Sequence, residues 1–188
     1  MNGIQVDIAK RGRYLIFKEP FYGHFLLGLD KEVSTNISTA CVALRDWNTI
    51  LVINPEYWES VSVPCRVGIL KHELMHVALG HLFMKDVCPD QELFNIAADL
   101  EINQYIDTEY KDVTWQGLDI KKSPFKELKL PERAGTREYY KLLQQETQNN
   151  PNGDISNIVK ALKDHNDSGS SQGPFIEVPL KDGSTAKI

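Results

Sequence analysis

Cysteine is scarce: three in 188 residues, namely Cys41, Cys65 and Cys88. They are too few and too widely spaced for a disulfide framework, and no two have the CxxC spacing of a zinc knuckle or redox motif. They read as reduced thiols of a cytosol-like compartment. Basic charge is also in short supply, with 21 Lys and Arg against 26 Asp and Glu and a net charge of −5. With no Lys/Arg block, the chain lacks the electrostatic footprint of phosphate-backbone binding, so nucleic acid is not an expected partner. No apolar run approaches the length of a membrane span, and residues 1–18 lack the apolar core and small-residue cleavage site of a secretory signal. A soluble, cytoplasmic protein without a membrane partner is therefore expected.

What remains is ordinary globular material. Hydrophobic residues make up 41% and charged residues 25%, a balance that suits one packed domain with a tail. Residues 7–17 have loosely helical spacing and Pro20 stops them; the aromatic-rich stretch 21–27 that follows could be a helix or a core-facing turn. Two β-rich runs, 41–44 and 49–53, flank the polar turn Asp46-Trp47-Asn48 and predict a hairpin. A long helix is predicted over 66–84, a second over 91–106 and a shorter one over 136–145. Residues 147–153 read as a linker. Ile155, Ile158, Val159 and Leu162 then recur at helical spacing, as in an amphipathic helix docking back, and the Ser/Gly-rich stretch 167–173 reads as mobile.

The chemistry concentrates in His72-Glu73-Leu74-Met75-His76, an HExxH motif inside a helical apolar pattern. On a helix His72 and His76 lie within about 40° of each other and can present ring nitrogens to one metal ion. Glu73 lies beside them, placed to take a proton from water without being a ligand. The surrounding Ile69, Leu70, Leu74, Met75 and Val77 predict a helix buried in the core, where polar side chains need partners or a metal. Gly80 falls on the same side and leaves room for substrate.

A catalytic zinc wants a third protein ligand. His81, five residues past His76, lies about 140° round an unbroken helix and so faces away, which suits a supporting polar residue better than a ligand. Asp99 is the strongest candidate. Asn95, Asp99 and Asn103 recur every four residues as a polar stripe flanked by Ile96, Leu100, Ile102 and Ile106, so the carboxylate reads as buried and in need of a cation or of several donors. A reversal around residues 85–90 would carry it back to the histidines. Glu101 and Gln104 fall on the far side, where solvent can account for them. His165, in Lys163-Asp164-His165, is the third candidate, reaching the site from the tail. Asn95 and Asn103 are further candidates for ligands or for residues that orient them.

The run from His72 to His81, followed by Phe94-Asn95-Ile96-Ala97-Ala98-Asp99-Leu100-Glu101-Ile102-Asn103, resembles the putative metallopeptidase domain that precedes a von Willebrand A-like domain in many bacterial and phage proteins. Ile53-Asn54-Pro55-Glu56-Tyr57 upstream, and Leu130-Pro131-Glu132 and Thr136-Arg137-Glu138-Tyr139-Tyr140 downstream, match further segments in order, over roughly residues 10–147. The resemblance implies a zincin-like fold, with the family's HExxH on His72, Glu73 and His76 and its helical aspartate on Asp99. It also implies a MoxR-type AAA+ ATPase as a partner and a bacterial or phage-infected cell as the setting. Lys163-Asp164-His165-Asn166 weakly resembles a short Asp-Asp-His-Ser segment between the two domains of longer members. The resemblance ends without a von Willebrand A-like domain, which leaves a stand-alone form and a piece of a longer protein both open.

Together these readings predict an α+β, zincin-like domain over 1–147: a small sheet, an HExxH helix and a following helix bearing Asp99. A linker, a short helix and a flexible tail follow over 148–188. The expected activity is zinc-dependent hydrolysis of peptide bonds with Glu73 as general base, acting on a protein or peptide aligned along the hairpin's edge strand. Mn²⁺, Fe²⁺ or Ni²⁺ would fit the same ligand types. The alternative is an inactive zinc-bearing module that docks onto an ATPase or another protein.

Overall fold

The computed structural model describes residues 3–84, 86–115, 117–122, 124–167, 178–179 and 185–186, with only the backbone described at 162–167 and in the last two segments. Helix α1 (Gly3–Lys18) buries Ile4, Ile8, Gly12 and Leu15 along one face. Helix α2 (Pro20–Leu27) opens on Pro20, a residue whose fixed φ suits the first helical position and whose missing N–H would have had no partner there. Pro20 thus starts a second helix as well as closing the first, and the stretch 21–27 is helical. The α1–α2 corner is tight: a Cβ on Gly23 would lie 2.3 Å from the Ile16 backbone nitrogen.

The sheet has three strands in the order β1 (Asp30–Val33), β3 (Asn48–Ile53), β2 (Ala40–Arg45), with β1 parallel and β2 antiparallel to β3. The hairpin is present as expected. Its two turn residues, Asp46 and Trp47, both have positive φ (49° and 68°), the handedness that matches the twist of the flanking strands. Central β3 is buried from Ile50 to Ile53. Strand β1, Asp-Lys-Glu-Val, was not expected from the sequence. Three of its four residues are charged, and the Arg45 guanidinium grips the Glu32 carboxylate with two hydrogen bonds of 2.8 and 2.6 Å, spanning the strand between them.

Asn54 then caps helix α3 (Pro55–Ser60), its side-chain oxygen accepting from the Glu56 and Tyr57 amides while its Nδ2 donates to the Ile37 carbonyl. Helix α4 (Val63–Ala78) begins three residues earlier than the sequence suggested, capped by Ser62 and with Pro64 in its first turn. It also ends six residues earlier than expected, because Gly80 takes a left-handed φ of 73° and diverts the chain into a 3₁₀ turn at His81–Phe83. Helix α5 (Gln91–Ile102), capped by Asp90, stops short of Ile106. Helices α6 (Thr136–Asn149) and α7 (Asp154–Asp167) complete the layer, with Ile155 and Val159 buried against α5 and α6. A short ladder of β4 (Val178–Pro179) and β5 (Thr185–Ala186) forms its own sheet, with β5 beside β2. The Ser/Gly-rich stretch from 168 onward lies outside the described residues.

Among the described residues two large apolar clusters organise the packing, beside a smaller one of Ile37, Cys41, Ala43, Ile50 and Val52 at the sheet. One joins α1, α2, the sheet and α4 through residues such as Leu15, Leu51, Trp58, Leu70 and Leu74. The other joins α5, α6 and α7 through Phe94, Leu100, Tyr139 and Leu143. The seam between them runs along the facing sides of α4 and α5. Because side-chain overlap at Gly23 involves backbone atoms that cannot rotate away, Gly23→Ala is expected to lower unfolding free energy by about 1–3 kcal/mol. Gly28→Ala, with φ −76° and only an ordinary 3.5 Å contact, should stay within about 0.5 kcal/mol of wild type. Urea denaturation of the two variants measures both.

Candidate metal centre

Helix α4 contributes His72 and His76 from one face, and α5 contributes Asp99. His72 Nε2 lies 3.0 Å from His76 Nε2, and Asp99 Oδ1 lies 3.3 and 3.4 Å from those two nitrogens. His72 also meets Asn103 while both imidazoles meet Asp99, so position rises along α4 as it falls along α5: the helices run antiparallel here, as the expected reversal requires. Among the described residues these are the three side chains grouped closely enough to hold a metal ion. His76 is almost fully buried (3%), His72 slightly less (14%), and Asp99 keeps 31% of its side chain open.

The donor set passes a simple geometric test. With metal–ligand bonds of about 2.0–2.1 Å, tetrahedral ligand atoms lie about 3.3 Å apart. The three observed separations bracket that edge length. The outer ring nitrogens are also engaged. His72 Nδ1 lies 2.9 Å from Asn103 Oδ1, and since Asn103 Nδ2 already donates to the Leu118 carbonyl, Oδ1 is left to accept. His72 therefore carries its proton on Nδ1 when neutral, leaving the Nε2 lone pair facing Asp99 and His76.

Without a metal, the electrostatics are those of a trapped proton. Burial disfavours a charged His72, but Asp99, Glu73 and Asn103 outweigh it and lift His72 to about 9. Burial, with His72 and His81 beside it, presses His76 down to about 4 against the pull of Asp99. For Asp99, burial opposes ionisation, yet the two imidazoles hold the carboxyl well below the usual carboxylate range. Burial raises Glu73 to about 7, although His72 and a hydrogen bond from the Val42 amide pull the other way.

Glu73 is buried at the foot of a cleft of about 180 Å³ shared with His72 and Asp99 and lined further by Thr39, Ala40, Tyr57, Ile69 and Trp115. The Trp115 ring stands edge-on to His72, with centroids 6.3 Å apart. Tyr57 and Trp115 were not singled out from the sequence. Tyr57 sits one turn after the Asn54 cap, whose Asn-Pro signature was visible, whereas nothing around Trp115 marked it. All three cysteines are buried and free, with thiols that burial raises, so they remain outside this chemistry.

The other candidates fall out as follows. His81 does not face away: the break at Gly80 voids the unbroken-helix geometry and brings His81 Nδ1 to 3.0 Å from His76 Nδ1, on the side opposite the donor cluster. Asn103 orients His72. Asn95 shares the stripe, but its Oδ1 is buried without a hydrogen-bond partner. The side chain of His165, within α7, lies outside the described residues. Glu101 and Gln104 do not face solvent, because α6 covers that side of α5. Glu101 accepts from the Thr136 amide at 2.6 Å, and Gln104 donates to Tyr139 Oη at 2.8 Å and accepts from the Arg133 amide.

Two imidazoles and a carboxylate converging from facing helices of an α+β domain form a donor set of the metal-centre type. A family model described as putative metallopeptidase domain matches residues 6–172, and the chain belongs to that family. An uncharacterized protein of Thermotoga maritima is 30% identical over 103 residues, which cover 53% of this chain and 26% of the relative, so the match spans about a quarter of that protein's length. No solved structure matches the chain. Among the described residues, no helix is long and apolar enough to cross a membrane.

A metal competes with the proton that His72 holds. Below its pKa of about 9 the metal-free ring is charged, so zinc uptake near pH 7.5 is expected to release about one proton from His72, a share that falls toward none as pH rises through 9 and adds to any proton lost by metal-bound water. Calorimetric titration in two buffers of different ionisation enthalpy measures that release directly.

Proposed function

We propose that this chain is a zincin-like, zinc-dependent peptidase in which His72, His76 and Asp99 hold the ion and Glu73 is the general base. The observation that carries the reading is the spacing of three donor atoms at tetrahedral edge lengths, with a buried carboxylate opening on the same cleft. Two imidazoles and one carboxylate are a donor set that suits zinc. When bound, the cation supplies Lewis-acid polarisation of the scissile carbonyl and acidifies water.

The chain's own residues supply the proton transfers and the alignment. Glu73 takes a proton from water as its oxygen forms a bond to the carbonyl carbon, then gives that proton to the departing amine as the C–N bond breaks. The Val42 amide, donating to the Glu73 carboxylate, fixes its direction. Burial pushes the Tyr57 hydroxyl up to about 12, so it keeps its proton and is available to donate to the oxygen on which charge develops.

Alignment comes from β2. The hairpin register pairs Arg45 with Asn48 across the two-residue turn, so alternate residues Ala40, Val42 and Leu44 direct their backbone groups away from β3. Among the described residues no strand pairs with that outer side, although β5 lies beside β2 and Glu73 takes the outward Val42 amide, and Thr39 and Ala40 line the cleft. An extended peptide added at the Ala40 end of β2 by β-augmentation would pass close to Glu73, which itself occupies the Val42 amide. We extend the reading to the cytoplasm, on the reduced cysteines and the residues 1–18 without a secretory signal, and to a bacterial or phage-infected cell with a MoxR-type AAA+ ATPase as partner, on the family resemblance.

Glu73→Gln preserves size and leaves the three donors in place. It is expected to keep wild-type zinc content while cleavage of a broad peptide library falls about 10²–10⁴-fold. Zinc-loaded wild type that shows no Glu73-dependent cleavage of that library would end the peptidase reading and leave a metal-bearing module.

A further inference from the structure

We infer that Glu101 and Thr136 are positioning residues for the metal centre, acting through His81 to hold the His76 ring with its Nε2 lone pair toward the other donors. The inference rests on the reading of His72, His76 and Asp99 as a metal centre. It starts from the break at Gly80, which returns His81 beneath His76 and buries it to 1% exposure. From His81 a continuous chain of hydrogen bonds leads away from the site. His81 Nε2 lies 2.9 Å from Thr136 Oγ1, and the Thr136 hydroxyl and backbone amide both reach Glu101 Oε2, the amide at 2.6 Å. Thr136 is itself buried to 3%.

The far end fixes the first two hydrogen bonds of this chain, and a His76 that gives its Nε2 lone pair to a metal fixes the third. An ionised carboxylate only accepts, so Thr136 donates its hydroxyl proton to Glu101. The Thr136 oxygen then accepts, which places a proton on His81 Nε2. In a neutral His81 this leaves Nδ1 as the acceptor, and the proton between the two rings belongs to His76 Nδ1. His76 Nε2 is thereby left with a lone pair facing His72 Nε2 and Asp99 Oδ1. Asn103 does for His72 in one bond what three residues do for His76.

Two features separate this chain from an ordinary buried polar network. Helix α5 reaches the cluster twice, directly through Asp99 and from its opposite face through Glu101. The chain also begins at the first residues of α6, so the seating of α6 on α5 and the tautomer of His76 share the same bonds. Loss of a residue that orients a ligand in this way commonly costs about 10–100-fold in metal affinity.

The test uses the full chain and three variants: Thr136→Val, which keeps the shape and removes the hydroxyl; Thr136→Ser, which restores it; and Glu101→Gln. Zinc affinity is read by chelator competition, the His76 Nδ1 proton by long-range ¹H–¹⁵N spectra of zinc-loaded protein, and folding by melting with chelator present. Thr136→Val is expected to bind zinc about 10-fold or more weakly and to lose the protected Nδ1 proton, while Thr136→Ser returns both to near wild type. A folded Thr136→Val within about twofold of wild-type affinity, or a Thr136→Ser that restores nothing, overturns the inference. Should Thr136→Val fail to fold, Glu101→Gln decides: weaker zinc binding supports the inference and unchanged binding overturns it. Wild type that takes up no zinc would instead remove the metal centre itself, a failure distinct from loss of the supporting chain.

Discussion

Three groups able to carry charge meet at the seam between two apolar cores, and the rest of the structure is arranged around that constraint. A carboxylate and two imidazoles out of bulk water cost several kcal/mol unless a cation and fixed hydrogen bonds compensate them. In the metal-free protein the cation is a proton on His72, held there by Asp99 against the penalty of burial. A divalent ion placed between the same donors would supply more charge and use all three lone pairs. The arrangement suits a metal that displaces that proton, since Asn103 holds the outer nitrogen of His72 and turns its inner nitrogen toward Asp99 and His76.

Precision at this seam is built from short-range devices. Asn54 ties the end of β3 to the start of α3, and Ser62 fixes the start of α4. These caps set the helix entry while Leu70 and Leu74, both fully buried, set its rotation, so His72 and His76 have one direction in which to point. Gly80 ends α4 within two residues of its last turn, which allows His81 to fold back. Helix α5 is seated by apolar residues on its α6 and α7 side, leaving its stripe of Asp99 and Asn103 to face α4.

Much of this was legible in the sequence because the helical period is a strong signal. The HExxH spacing, its apolar surroundings and the four-residue recurrence of Asn95, Asp99 and Asn103 together indicated two facing helices and the three side chains that meet. The hairpin was equally visible in its two β-rich runs. What stayed hidden depended on backbone events or distant neighbours. The direction of His81, though not its expected supporting role, was misjudged because an angle counted along an unbroken helix ignores a left-handed glycine between the two histidines. Glu101 and Gln104 were assigned to solvent because nothing local to α5 reveals that α6 covers them, some thirty-five residues later in the case of Thr136. Strand β1 escaped because its four residues, mostly charged, show neither alternation nor an apolar run; it is held by pairing with β3 and by Arg45 reaching across.

The central claim is that one ion sits between α4 and α5 on two nitrogens and one carboxylate oxygen. Anomalous diffraction from zinc-loaded crystals, collected on either side of the zinc edge, tests it most directly. The account predicts a single strong peak about 2.0–2.2 Å from His72 Nε2, His76 Nε2 and an Asp99 carboxylate oxygen, with the fourth position open to solvent. A peak on any of the three cysteines, a peak that leaves Asp99 uncoordinated, or the absence of a peak between these helices would contradict it.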